Sequence, residues 1–183
     1  MDDIRKQVDE AIAELRCVSR HTPDDSRRLF EEAIAAFERR EYRTCTDLAM
    51  EAATSLINTY GYLVSTDPWH LLFISAQRST LEPQLGAIIE KQAGAMLRAL
   101  RNNAWEATLM KVTLGEADAE EGLSLAKTAE DRCRACFYAG ARLVTLGQRE
   151  KGTGYLMECF LTEVRCFEYR LACAELRELL DDG

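Results

Sequence analysis

The stretch Cys136-Phe-Tyr-Ala-Gly-Ala-Arg-Leu-Val-Thr-Leu-Gly147, followed by Tyr155-Leu-Met-Glu-Cys159 and then by Glu168-Tyr-Arg-Leu-Ala-Cys-Ala-Glu-Leu176, decides the fold. Its apolar residues recur three and four apart, which is the spacing of one face of an α-helix. Gly147 sits where a helix would stop. Gly140, Gly152 and Cys159 place small side chains where two helix backbones would touch. The pattern predicts helices over about 132–146, 149–161 and 168–181. That is a stacking unit rather than a reaction centre.

A second pair of helices is written upstream. Leu29, Phe30, Ala33, Ile34 and Phe37 share one side of a predicted helix over 27–40, which Asp24, Asp25 or Ser26 can cap. Cys45, Leu48, Ala49, Ala52, Leu56 and Ile57 share the inner side of the next, over 43–60. So short a link forces the two helices to pack antiparallel. Ahead of them, Ile4, Val8, Ile12 and Leu15 carry helical spacing up to His21-Thr22-Pro23.

Thr66-Asp67-Pro68 predicts a helix start, with Thr66 as the capping residue. The segment Trp69 to Ala76 is apolar on most sides, and a buried helix is preferred there to a strand. A further amphipathic helix runs from Glu82 to about Leu100, interrupted at Asn102-Asn103. Trp105 opens a short element that ends at Leu114-Gly115, and 117–128 reads as a short helix. No segment alternates as a strand does. The expected fold is all-α and a single domain over 1–183, with hairpins at about 24–60 and 131–161 and an irregular middle over 61–130.

Composition narrows the classes. The chain has 183 residues, 47% hydrophobic and 30% charged, with a formal net charge of −8. That balance suits a folded protein and disfavours general binding to nucleic acid, whose phosphates an acidic surface repels. Neither a leader-like start nor a run of about 18–20 apolar residues is found, so a cytoplasmic protein is expected. Seven cysteines, an odd number, suit a reducing compartment.

The residues of the two hairpins resemble the tetratricopeptide-repeat proteins. Ala33, Phe37, Tyr42, Cys45, Ala49 and Ala52 fall where that family alternates small and bulky packing residues. Gly140, Leu143, Gly147, Gly152, Leu156 and Cys159 do so in the second hairpin. The closing proline of that family is absent from both. The resemblance implies antiparallel hairpins stacked as a short, irregular solenoid, and a non-catalytic scaffold, adaptor or chaperone for a partner peptide or helix. It also implies that the first helices line a groove, through Arg27, Phe30, Ile34 and Glu38 and through Arg134, Phe137, Ala141 and Thr145.

Cys133 and Cys136 lie on one helix, and Cys159, Cys166 and Cys173 do not offer the paired tight turns of a zinc site, so no metal and no cofactor is expected. The cysteines read first as small buried hydrophobes. His70 reads as structural. Arg16-Cys-Val-Ser-Arg-His21 resembles the arginine–histidine signature of the all-helical HEPN ribonucleases, and under that alternative, a ribonuclease or toxin–antitoxin component, Arg16 and His21 would act at an RNA phosphodiester. Trp69, Leu71, Leu72 and Phe73 are too many apolar groups for one surface face. They fill a core or form a homodimer contact, and core is preferred.

Overall fold

The computed structural model describes residues 23–60, 65–79 and 83–181. The predicted first helix over residues 4–15 lies outside the described residues. The described chain is all-α: α1 (Pro23–Glu38), α2 (Tyr42–Tyr60), α3 (Asp67–Arg78), α4 (Pro83–Ala99), α5 (Ala104–Leu114), α6 (Ala119–Leu125), α7 (Ala129–Thr145), α8 (Arg149–Leu161) and α9 (Phe167–Asp181). Among the described residues there is no strand, and no helix is long and apolar enough to cross a membrane. Where the sequence reads as one domain, the chain divides into two compact units, 1–103 and 104–183. Part of the expected irregular middle thus belongs to the second unit, as α5 and α6.

The first unit is organised by the hairpin of α1 and α2. Ala33, Ala36 and Phe37 of α1 and Cys45, Ala49, Ala52 and Ala53 of α2 are buried, so the packed face is mostly small residues. Arg39, Arg40 and Glu41 make the link. The Glu41 N–H donates to the Ala36 carbonyl and the Arg40 N–H to that of Phe37, both at 2.9 Å. Those bonds satisfy carbonyls that a helix end leaves over, and they require a left-handed residue, here Arg40 at φ 63°.

Helix α3 packs on α2 and α1. Pro68 through Ala76 are all buried, which is why this stretch carries no polar face. The Arg78 guanidinium at its end lies 5.3 Å from the ring centres of Phe37 and Tyr42 and donates to the Tyr42 hydroxyl at 3.1 Å. It thereby ties α3 to the hairpin turn. The start of α3 departs from expectation: the Thr66 side chain makes no cap bond, and the Asp67 N–H donates instead to the Ser65 hydroxyl at 3.2 Å. Helix α1 begins at Pro23, so Asp25 and Ser26 stand inside its first turn rather than before it.

The second unit repeats the scheme around α7 and α8. Thr128 and Asp131 form a reciprocal capping box at the start of α7. At its end the Gln148 N–H donates to the Leu143 carbonyl at 2.9 Å and the Gly147 N–H to that of Val144 at 3.0 Å, with Gly147 at φ 75°. A β-carbon on Gly140 would lie 2.8 Å from Leu156 Cγ and 3.0 Å from the Gly152 carbonyl oxygen. One on Gly152 would lie 2.9 Å from the Gly140 carbonyl oxygen. Backbone therefore meets backbone at this crossing, and only glycine fits. Helix α9 packs on both α8 and α7, while α5 and α6 cover α7. The Arg149 guanidinium donates to the Leu179 carbonyl at 2.7 Å, joining the start of α8 to the end of α9.

Candidate functional site

Several of the residues expected to line a groove are buried inside their own unit. In the first hairpin Arg27 is exposed, Phe30 and Glu38 are half-buried and Ile34 is buried. In the second, Phe137 and Ala141 are buried and the Thr145 hydroxyl turns back to the Ala141 carbonyl at 2.9 Å. Ile34, Phe137 and Ala141 are thus corrected from groove to core. The physical reason in the second unit is that α5 and α9 pack on α7, so its first-helix face is not left open.

Arg134 is drawn inward by charge. Its guanidinium donates to Glu106 at 2.8 Å and to Glu168 at 3.2 Å. Its side chain is 13% exposed and that of Glu168 only 1%. The Tyr138 hydroxyl also donates to Glu168, at 3.3 Å. This network joins α5, α7 and α9 and holds a buried carboxylate that would otherwise be very costly to desolvate. Arg134 is a structural cation in this arrangement, not a groove contact.

Trp69, Leu71, Leu72 and Phe73 lie inside, with Trp69 and Phe73 ring centres 6.1 Å apart. Their burial is the core alternative, and it leaves them no surface with which to meet a second chain. His70 is buried in the same helix. Arg16 and His21 lie outside the described residues.

Surface that sequence reasoning missed lies on α8. Leu161 is 68% exposed, Phe160 39% and Met157 37%. The Phe160 ring stacks on Tyr169 of α9, with centroids 5.7 Å apart and planes at 15°. Gly152, Leu156 and Cys159 form the inner stripe of α8, so Met157, Phe160 and Leu161 stand off it. The available signal was that α8 is apolar well beyond the one stripe needed to pack it.

Beside this helix, a cleft of about 210 Å³ is floored by Val112, Ala139 and Leu143 and edged by Arg142, Lys151 and Tyr155. The Tyr155 hydroxyl donates to Glu120 at 2.8 Å. Burial first, and then that carboxylate, push the Tyr155 hydroxyl up to about 12. Three buried thiols are raised as well. Burial pushes Cys45 and Cys136 up to about 12, with Glu158 adding to the effect on Cys136. Hydrogen bonding to Cys159 is the largest cause for Cys133, also at about 12.

The fold and these surfaces define an all-α protein of paired helices with an apolar strip on one of them. No protein-family model, curated protein or solved structure matches the chain.

Proposed function

We propose that this chain is a non-catalytic interaction scaffold of the tetratricopeptide-like kind, an adaptor or chaperone that docks a partner peptide or helix and works in the cytoplasm. One observation carries the reading: the exposed strip Met157, Phe160 and Leu161 on the second helix of the second hairpin. Large apolar side chains grouped on one face are the anchors on which helix-in-groove recognition relies. The two hairpins support the solenoid side of the reading, because they share a link of equal length and small residues at corresponding places.

The binding face in this proposal is α8, not the first helices that the family resemblance implies. A net charge of −8 favours a partner whose apolar anchors are flanked by lysine or arginine.

A photo-crosslinking residue at Met157, in cells that make the protein, tests the proposal. It should capture one partner in near-stoichiometric yield, whereas the same residue at exposed Glu130 should not. Leu161→Glu should abolish the capture while leaving the thermal midpoint unchanged. Equal capture from both positions, or none from Met157, defeats it.

A further inference from the structure

Three of the seven cysteines converge in the second unit. Cys133 on α7 has its Sγ 3.0 Å from that of Cys159 on α8 and 3.5 Å from that of Cys166, just before α9. Cys133 and Cys159 are buried and Cys166 is half-buried. Cys159 belongs to the inner stripe of α8, so the cluster is separate from the apolar strip of the interaction proposal.

Such a cluster has three uses. Simple packing needs a small apolar group at each place and does not require three sulfurs to meet. Thiolates around a zinc ion, with bonds of about 2.3 Å in a tetrahedron, stand about 3.8 Å apart. The sulfurs here are closer than that, and no group of three or more ligating side chains suited to a metal ion is found among the described residues. Bonded sulfurs lie about 2.05 Å apart, so Cys133 needs to close only about 1 Å toward Cys159.

We propose that Cys133, Cys159 and Cys166 form an oxidisable site, entered at Cys166, that takes an oxidant of the hydroperoxide class and keeps its two oxidising equivalents as a buried disulfide of Cys133. The Cys166 sulfur attacks the peroxide oxygen as a thiolate. The O–O bond breaks, water or an alcohol leaves with the thiol proton, and Cys166 becomes a sulfenic acid. Cys133 then attacks that sulfur: the S–S bond forms, the S–O bond breaks, and the hydroxyl leaves with the Cys133 proton as water.

Cys159 can next displace Cys166 from Cys133, its proton passing to Cys166 with no change in electron count. This exchange returns the half-buried thiol and hides the oxidised bond between α7 and α8. Hydrogen bonding to Cys133, with burial, raises the Cys166 thiol far above its ordinary range. The thiolate is therefore scarce, and the site responds to sustained rather than brief exposure.

The test treats the full chain with hydrogen peroxide, counts free thiols after denaturation and maps peptides without reduction. Two thiols per chain should disappear, and the linked peptide should contain Cys133 joined to Cys159 or Cys166. Cys166→Ser should slow disulfide formation at least about tenfold through loss of the accessible thiol, whereas Cys173→Ser should leave its rate unchanged. Three results overturn the proposal: sulfinic acid accumulating at Cys166 without linkage to Cys133, undiminished disulfide formation in Cys166→Ser, or the same linkages forming equally fast in denaturant. The peptide map of the unmodified sequence decides the matter even if a variant does not fold.

Discussion

The two hairpins follow one plan with different side chains in it. Both turn through a link of the same length and hydrogen bonding, with Arg40 at the left-handed position in one and Gly147 in the other. At the crossing, buried Ala33 and Cys45 in the first hairpin stand where Gly140 and Gly152 stand in the second. Near the start of the first helix, Arg27 is exposed, whereas Arg134 is held between Glu106 and Glu168. The turn is thus indifferent to what the helices carry. Side-chain bulk at the crossing sets how closely the backbones can meet. The neighbours α5 and α9 decide whether an arginine at a given place is surface or interior.

The largest expected effect breaks the comparison at its charged end. Arg134→Ala leaves the carboxylate of Glu168 buried without its cation and should cost about 3–5 kcal/mol. Arg27→Ala, at the corresponding exposed place, should cost about 0.5 kcal/mol or less. Urea denaturation gives the size, and hydrogen exchange should place the loss within residues 104–183. Similar losses from the two variants would show that the correspondence hides no difference in burial.

An intermediate effect is expected at the crossing. The new β-carbon of Gly152→Ala would lie 2.7 Å from Val144 Cγ2 and 2.9 Å from both the Val144 nitrogen and the Gly140 oxygen. Two of those obstacles are backbone, so the helices must part. Overpacking of about 1–3 kcal/mol outweighs a gain of up to about 1 kcal/mol in helix propensity. Cys45→Ala in the first hairpin should cost about 1 kcal/mol or less, because alanine is smaller than the residue it replaces. Thermal midpoints of the two variants, compared side by side, sharpen or erase the contrast.

The smallest effects belong to the turns. Nothing lies within 4 Å of a β-carbon on Gly147, so Gly147→Ala should cost only the left-handed strain, about 1 kcal/mol. Arg40→Gly should relieve similar strain in the first hairpin. It also loses the Arg40 hydrogen bond to the Tyr42 hydroxyl, so the net gain should stay below about 0.5 kcal/mol. Opposite signs in denaturant midpoints are the expected result.

The sequence carried the helices well and the surfaces poorly. Gly147 and Gly115 end helices where expected, since each takes the positive φ that a helix terminus of this kind needs. The run Trp69 to Ala76, apolar on most sides, marks a buried helix, because too little polar side is left to face water. Periodicity shows that a helix has an inner face, but not how many neighbours it meets. A groove position for Phe137 and Ala141 follows from a single packed face on α7, whereas α9 and α5 supply others. The meeting of Cys133 with Cys159 and Cys166 was equally hidden: their separations of 26 and 33 residues have meaning only once α8 and α9 are folded against α7. The exposed strip of α8 had a local trace, in apolar residues to spare.

The glycine crossing also governs how this gene can drift. Each of Gly140 and Gly152 is excluded from change by the other's main chain, which no substitution can trim. A mutation at one position therefore has no compensating mutation at its mate. A lineage that loses either glycine can recover only by spreading the two helices and refilling the space with new side chains, a joint rearrangement that single steps do not reach.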